Sequence, residues 1–231
     1  MDNKITIITV VFNCNEELKL TINSVEELKL KYPNYKIEFI VIDGESNDGT
    51  REILDSKIID HFVSEKDDGI YDAMNKGWNL VSNNSFVVYL GAGDKILSLP
   101  VIKDDDQIII GKTYVGDYLF NSKVSWLLKY GNTVHHQSFM IRKIDSVNDI
   151  FDCKYKKYAD FKFIQKCIFI DKKKYRLDSD FIAYADPFGV TNELDSLEMA
   201  KVVSCNFNMF FGIISYFLMK ITALKIRLRN A

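Results

Sequence analysis

Proline, paired cysteine and an excess of charge of either sign are what this sequence lacks. Only three prolines occur in 231 residues that are 47% hydrophobic, an ordinary globular composition with room for one large α/β domain or one domain plus an appendage. Its four cysteines, Cys14, Cys153, Cys167 and Cys205, are scattered, with no Cys-x-x-Cys and no zinc-like spacing. That pattern excludes a zinc module and points to a reducing, cytosolic setting with thiols used in packing. A formal net charge of −2 argues against a nucleic-acid partner, which would bring a basic excess. No G-x-G-x-x-G follows a strand, so dinucleotide binding is disfavoured. The segment after the first strand, Asn13 to Glu16, has neither the glycines nor the basic residue that a triphosphate-holding loop needs, which argues against nucleotidyl transfer. The first apolar run, Ile5 to Phe12, is too short and too poor in preceding positive charge for a signal peptide. No internal repeat and no low-complexity linker divides the chain.

The elements that are present alternate. Ile5 to Phe12 is β-branched almost throughout, as expected of a strand buried on both faces of a parallel sheet. A helix follows, with Asn15 as its cap, Glu16 and Glu17 in its first turn and Leu18, Ile22, Val25 and Leu28 on its inner face. Ile37 to Ile42 is a second strand. The polar loop from Asp43 to Thr50 then leads to a helix near Arg51, and Ile58 to Val63 is a third strand. This order is the βαβ pattern of a parallel α/β sheet. Ile70, Met74, Trp78 and Val81 mark the apolar face of the next helix, with Asp72, Asn75 and Lys76 away from that face or at its edge. Further strands are read at Ser85 to Leu90, Gln107 to Tyr114, Phe139 to Ile141 and Phe181 to Ala185, and a helix at Tyr158 to Phe169 with Phe161, Ile164 and Ile168 inward.

The segment from Phe86 to Asp94 is a short buried strand that breaks into Gly91, Ala92 and Gly93 and ends on a carboxylate. Glycines permit a sharp turn and a close ligand approach, and ligands of open α/β sheets sit outside the carboxyl ends of the strands. Asp94 is therefore placed to hold a metal or polar ligand; a Gly-Asp turn is the alternative. Asp104, Asp105 and Asp106 follow Pro100 and read as a solvated turn.

The charge is uneven along the chain. Residues 201–231 carry five basic residues and no acidic one, which leaves −7 on the first 200. Residues 202–219 are uncharged, but Ser204, Asn206, Asn208, Gly212 and Ser215 dilute the run. Apolar and aromatic residues followed by Lys220, Lys225, Arg227 and Arg229 fit an amphipathic helix in a membrane interface. Packing on the domain, an oligomer contact and a membrane span are the alternatives. The expected division is one domain over 1–200, with halves 1–95 and 96–200, and a helical tail over 201–231.

Five blocks, in order, resemble family 2 inverting glycosyltransferases of a bacterial surface-polysaccharide subgroup. They are Thr9 to Asn13; Val41 to Thr50, against the family's Asp-Gly-x-Ser-x-Asp-Gly-Thr; Ser64 to Gly77; Val134 to Ser138; and Tyr158 to Phe161. The likeness is good over 4–95, patchy over 130–190 and absent in the tail. It implies an α/β nucleotide-diphospho-sugar transferase fold (GT-A-like), with a mostly parallel central sheet and flanking helices. It also implies transfer of a hexose or N-acetylhexosamine from a UDP-sugar to a lipid-diphosphate-linked saccharide, in O-antigen, capsule or exopolysaccharide synthesis. The implied location is the inner face of the bacterial plasma membrane, with peripheral contact through the tail; self-association is open.

Carried onto this sequence, the resemblance implies nucleotide contacts from Thr9, Asn13, Asp43, Asp67, Asp72 and Asn75. Turn capping is the alternative for Asn13, and helix capping at Gly69 the alternative for Asp67. Asp94 corresponds to the family's metal-binding Asp-x-Asp segment, with Mn²⁺ or Mg²⁺ neutralising the departing diphosphate. Gly91 and Gly93 stand where many members carry Asp, so one carboxylate is left. His136 is a second metal-ligand candidate or a structural histidine. Asp160 corresponds to the catalytic base that takes the acceptor's proton, with Asp152 and Asp186 as fallbacks and helix capping as its bland role. A non-catalytic sugar-nucleotide-binding or scaffold protein of the same fold is the rival reading.

Overall fold

The computed structural model describes residues 4–144, 147–187 and 194–229. Its elements in order are β1 (Lys4–Val11), α1 (Asn15–Lys31), β2 (Lys36–Asp43), β3 (His61–Ser64), α2 (Ile70–Leu80), β4 (Phe86–Gly91), β5 (Lys95–Ser98), β6 (Ile108–Val115), β7 (Tyr118–Asn121), β8 (Phe139–Arg142), α3 (Ala159–Gln165), β9 (Tyr175–Ala185), α4 (Ser196–Asn206) and α5 (Met209–Arg229). One nine-stranded sheet runs β3-β2-β1-β4-β8-β6-β9-β5, with β7 paired to β6.

The first four strands in space, β3, β2, β1 and β4, are all parallel. Beyond β4 the sheet is mixed: β8 joins antiparallel to both β4 and β6, β6 pairs parallel with β9, β5 pairs antiparallel with β9, and β7 antiparallel with β6. The strands β3, β2, β1, β4, β6 and β9 thus share one direction and the sheet is mostly parallel as expected, with the antiparallel pairings confined to its second half. Because β1, β2 and β4 run the same way, Val11, Asp43 and Gly91 end at one edge.

Alternation along the strands divides the core in two. Ile5, Ile7, Phe39, Val41, Val88 and Leu90 face α1, whose Leu18, Ile22, Val25 and Leu28 are all buried. Ile8, Ile40, Ile42, Val87 and Tyr89 face α2, α3 and α4. Gly77 is what lets α2 lie close: a Cβ there would stand 2.5 Å from Ile8 Cγ2 and 3.3 Å from Ile42 Cγ1.

Several local expectations change. The segment at Arg51 forms one 3₁₀ turn, Arg51–Ile53, with no buried residue, so it has no face to hold a longer helix. Asn15 does not cap α1; the Asp48 carboxylate accepts its backbone N–H at 3.0 Å instead. On α2 the inner face is rotated: Ile70 is exposed, while Tyr71 and Asn75 are buried. α3 passes into a π-helical turn, Lys166–Ile170, with Phe161, Ile164 and Ile168 inward as expected. Asp106 is buried against Arg176, so the Asp104–Asp106 run is only partly a solvated turn. The tail breaks at Phe207 and Asn208 into two helices. α4 starts before residue 201 and buries Met199, Val202 and Val203 in the domain core. Among the described residues, no helix is long and apolar enough to cross a membrane.

Candidate active site

Asp43 is fully buried at the end of β2, where its carboxylate accepts the Ser46 backbone N–H at 3.2 Å and the Ser64 hydroxyl at 2.6 Å. It thereby fixes the start of the loop to β3. Asn13, in the left-handed region at φ 50°, clamps the same loop: its N–H donates to Ser46 Oγ at 2.8 Å and its Oδ1 accepts the Asn47 N–H at 2.9 Å. Asp48 completes the clamp by accepting from Thr50 Oγ1 at 2.6 Å. The rim of the edge is thus pre-shaped by side chain to backbone bonds. Thr9 lies on the α1 face of β1 with Ile7 and Val11, and its buried Oγ1 has no hydrogen-bond partner in the structure.

Lys76 gathers the acidic residues beside this loop. Its Nζ lies 2.6 Å from Asp67, 3.0 Å from Glu65 and 3.4 Å from Asp72, and it also donates to the Lys66 carbonyl. Burial pushes the Asp67 carboxyl up against the opposing pull of Lys76. Asp72 accepts the Asp68 N–H and so caps the entry to α2. Asn75 is committed elsewhere: its amide donates to the Phe151 carbonyl at 2.8 Å and accepts the Phe151 N–H at 2.9 Å, stitching α2 to the second half.

Asp94 sits in a turn that its own carboxylate closes. Oδ2 accepts the Gly91 N–H at 2.7 Å and Gln137 Nε2 at 2.8 Å, and Oδ1 accepts the Asp186 N–H at 2.9 Å. Burial raises its carboxyl while these donors and His136 hold it down, and the net direction is up. Gln137 Oε1 accepts from His135 Nδ1, and burial together with the neighbouring His136 pulls the His135 ring down to about 4. His135 is therefore neutral, and its proton orients the amide that holds Asp94. Gly91 and Gly93 are sterically apt: a Cβ on Gly91 would come 3.1 Å from Asp94 Oδ2, and Gly93 has φ +93° beside Asp186.

The implied cation does not find a cage in this arrangement. Both lone-pair sites of Asp94 Oδ2 are taken by N–H donors, and among the described residues no three His, Cys, Asp or Glu side chains form a metal-holding group. His136 is turned to a different partner. Its Nδ1 lies 3.2 Å from Asp160 Oδ2, while the Tyr71 hydroxyl donates to Asp160 Oδ1 at 2.8 Å. Burial works against charge on Asp160, yet the His136 hydrogen bond and charge and the Tyr71 hydroxyl hold its carboxyl below the usual range. Burial likewise opposes the His136 charge, but Asp160 and then Asp94 raise it. The two shifts run toward each other's charged form, the carboxylate on Asp160 and the imidazolium on His136.

Asp160 is held from behind by a residue that sequence reasoning did not single out. The Glu198 carboxylate on α4 accepts the N–H groups of Lys156, Lys157 and Tyr158 at 3.0, 2.6 and 3.0 Å, bracing the segment that leads into α3. Tyr71 and Gln137 were inside recognised blocks, but nothing in their spacing announced their partners. Of the fallback bases, Asp152 is paired with Lys162 at 2.6 Å and Lys154 at 3.0 Å, and Asp186 adjoins Asp94 through its backbone.

The sequence model of Glycosyl transferase family 2 matches residues 6–95. No curated protein matches the chain by sequence. Among solved structures, TarS of S. aureus is similar at 14% identity and TM-score 0.63, covering 88% of this chain and 39% of that one. A mannosyltransferase from Pyrobaculum calidifontis, in complex with GDP-Man and Mn²⁺, is similar at 13% identity and TM-score 0.61, covering 90% and 64%. The glucosyl-3-phosphoglycerate synthase of Mycobacterium tuberculosis with UDP is similar at 12% identity and TM-score 0.56, covering 89% and 81%. The chain thus spans about two fifths of the length of TarS. At these identities the likeness is one of fold: a mixed α/β sheet with flanking helices, as in GT-A nucleotide-sugar transferases.

Proposed function

We propose, from the match of residues 6–95 to the model of glycosyl transferase family 2, that the chain is an inverting glycosyltransferase. The donor is a UDP-sugar seated at the edge where β1, β2 and β4 end, and the acceptor is a lipid-diphosphate-linked saccharide of a bacterial surface polysaccharide at the inner membrane face. The observation that carries the reading is the placement of Asp160 between Tyr71 and His136. Two fixed donors aim one carboxylate and favour its ionised form, so that it is placed to take a proton from an acceptor hydroxyl as that oxygen attacks the anomeric carbon. The leaving UDP departs from the opposite face. Asn13, Asp43 and Asp48 keep the loop at the donor edge in one shape, so little ordering is left for the nucleotide to induce. Mn²⁺ or Mg²⁺ would be held largely by the donor's diphosphate and water, and no step is assigned to it.

A non-catalytic sugar-nucleotide-binding protein is favoured by one observation, the occupation of the single carboxylate at Asp94 by three N–H donors, two of them on Oδ2. UDP release from a panel of UDP-sugars, with lipid-diphosphate saccharides as acceptors, separates the two. Acceptor-dependent release from one sugar supports the enzyme. UDP binding without release from any of them supports the rival.

A further inference from the structure

α5 packs one face on the domain and leaves the other bare. Gly212 and Ser215 are buried, a Cβ on Gly212 would collide with Ser204 Oγ at 1.9 Å, and Ser215 Oγ donates to the Tyr130 carbonyl at 2.6 Å. At about 100° per residue, Phe210, Ile213, Phe217, Ile221 and Leu224 share the opposite side as one stripe. All five are exposed, Phe210 by 66% and Phe217 by 59%. Lys220 falls on one flank of this stripe and Lys225 on the other, both exposed, and no acidic residue occurs in α5. Trp126 and Leu127, both exposed on the 3₁₀ turn Trp126–Lys129, lie beside α5 on the side of Phe211. The Trp126 ring, 68% exposed, abuts Tyr130, which stacks on Phe211 of α5 at 5.2 Å between centroids.

We propose that α5 and the Trp126–Leu127 turn form a docking surface for an anionic lipid bilayer. The helix lies in the plane of the interface, with the Phe210–Leu224 stripe among the acyl chains, Lys220 and Lys225 at the level of the phosphates and the Trp126 indole at the headgroup boundary. Charge complementarity chooses the occupant. A second copy laid face to face would oppose lysine to lysine with no carboxylate on α5 to answer them, whereas anionic headgroups supply that charge on both flanks. The placement adds to the membrane setting proposed above the surface, the depth and the lipid charge. It stands on the helix itself, because binding to vesicles requires neither donor nor turnover.

The test is flotation of the full chain with phosphatidylcholine vesicles containing phosphatidylglycerol, read together with tryptophan emission. Trp78 is buried, so a blue shift and quenching by brominated acyl chains report Trp126. The expected result is co-flotation with a blue shift that Trp126→Phe removes, a loss of both with Phe217→Glu/Ile221→Glu, and roughly fivefold weaker binding for each of Lys220→Gln and Lys225→Gln. Should the doubly charged variant fail to fold, quenching of Trp126 in the unaltered chain decides. Absence of flotation and quenching overturns the proposal. So does concentration-dependent self-association in sedimentation velocity that Phe217→Glu/Ile221→Glu abolishes while vesicles leave the protein in solution.

Discussion

Tyr71 and Asp160, 89 residues apart, are joined by a hydrogen bond of 2.8 Å in which the phenol donates to the carboxylate. It links the first helix turn after the nucleotide-side loops to the helix that carries the proposed base, and so ties one half of the molecule to the chemistry of the other. Tyr71→Phe removes that donor while keeping the ring against Phe151. We expect kcat to fall roughly tenfold, the equivalent of about 1.5 kcal/mol for a hydrogen bond to a charged group, with UDP affinity unchanged in calorimetry. Equal losses in affinity and rate would mean that Tyr71 serves the donor site instead.

The Asp160–His136 pair sets a pH dependence of stability. A lowered carboxylate contributes above its ordinary value and loses that contribution as pH falls through the lowered one. A raised imidazole contributes below about 6.5 and loses it as pH rises through the raised value. Both conditions hold from about pH 4 to about 6.5. The difference in melting temperature between the unaltered chain and Asp160→Asn should be largest in that window and shrink on both sides. A difference that stays constant to pH 9 would contradict the pairing.

Glu198 positions Asp160 through the backbone. Its carboxylate takes three successive N–H groups, those of Lys156, Lys157 and Tyr158, in the segment that leads into α3. Glu198→Gln keeps the shape and removes the charge. It should lower unfolding free energy by about 1–2 kcal/mol in urea titration and reduce kcat, while KM for the donor stays put.

Gly77 tests the packing of α2. Alanine gains roughly 1 kcal/mol of helix propensity over glycine, but its methyl would sit 2.5 Å from Ile8 Cγ2. Overpacking of about 1–3 kcal/mol wins, so Gly77→Ala should lower the urea midpoint with an unchanged slope. A stabilised variant would show that the α2–β1 contact yields.

Legibility followed burial. β1, β2 and β4 are runs rich in β-branched and aromatic residues, closed on both faces, and α1 repeats Leu18, Ile22, Val25 and Leu28 without interruption, so each declared itself locally. β5 and β7 have only four residues each, and β9 begins with the polar stretch from Tyr175 to Asp180. Such strands exist because of their neighbours, and strand order is not a local property. The insertion of β8 between β4 and β6, which brings the His135–Ser138 turn to the end of β4, has no signature in spacing. Within the site, the carboxylates were visible as blocks of sequence, but their partners were not. Asn75 was expected at the nucleotide and bonds Phe151; His136 was expected at a metal and bonds Asp160. Phe151 lies 76 residues from Asn75, on the far side of β4 to β8, and Asp160 is on a different element from His136, so neither pairing shows in a pattern read along the chain.

Asp160 carries the proposed reaction, and the most direct measurement is UDP release by Asp160→Asn beside the unaltered chain, with UDP binding followed in parallel by calorimetry. The expected rate is lower by roughly 10²–10⁴ with UDP affinity intact. Turnover by Asp160→Asn at the unaltered rate would contradict a base at Asp160.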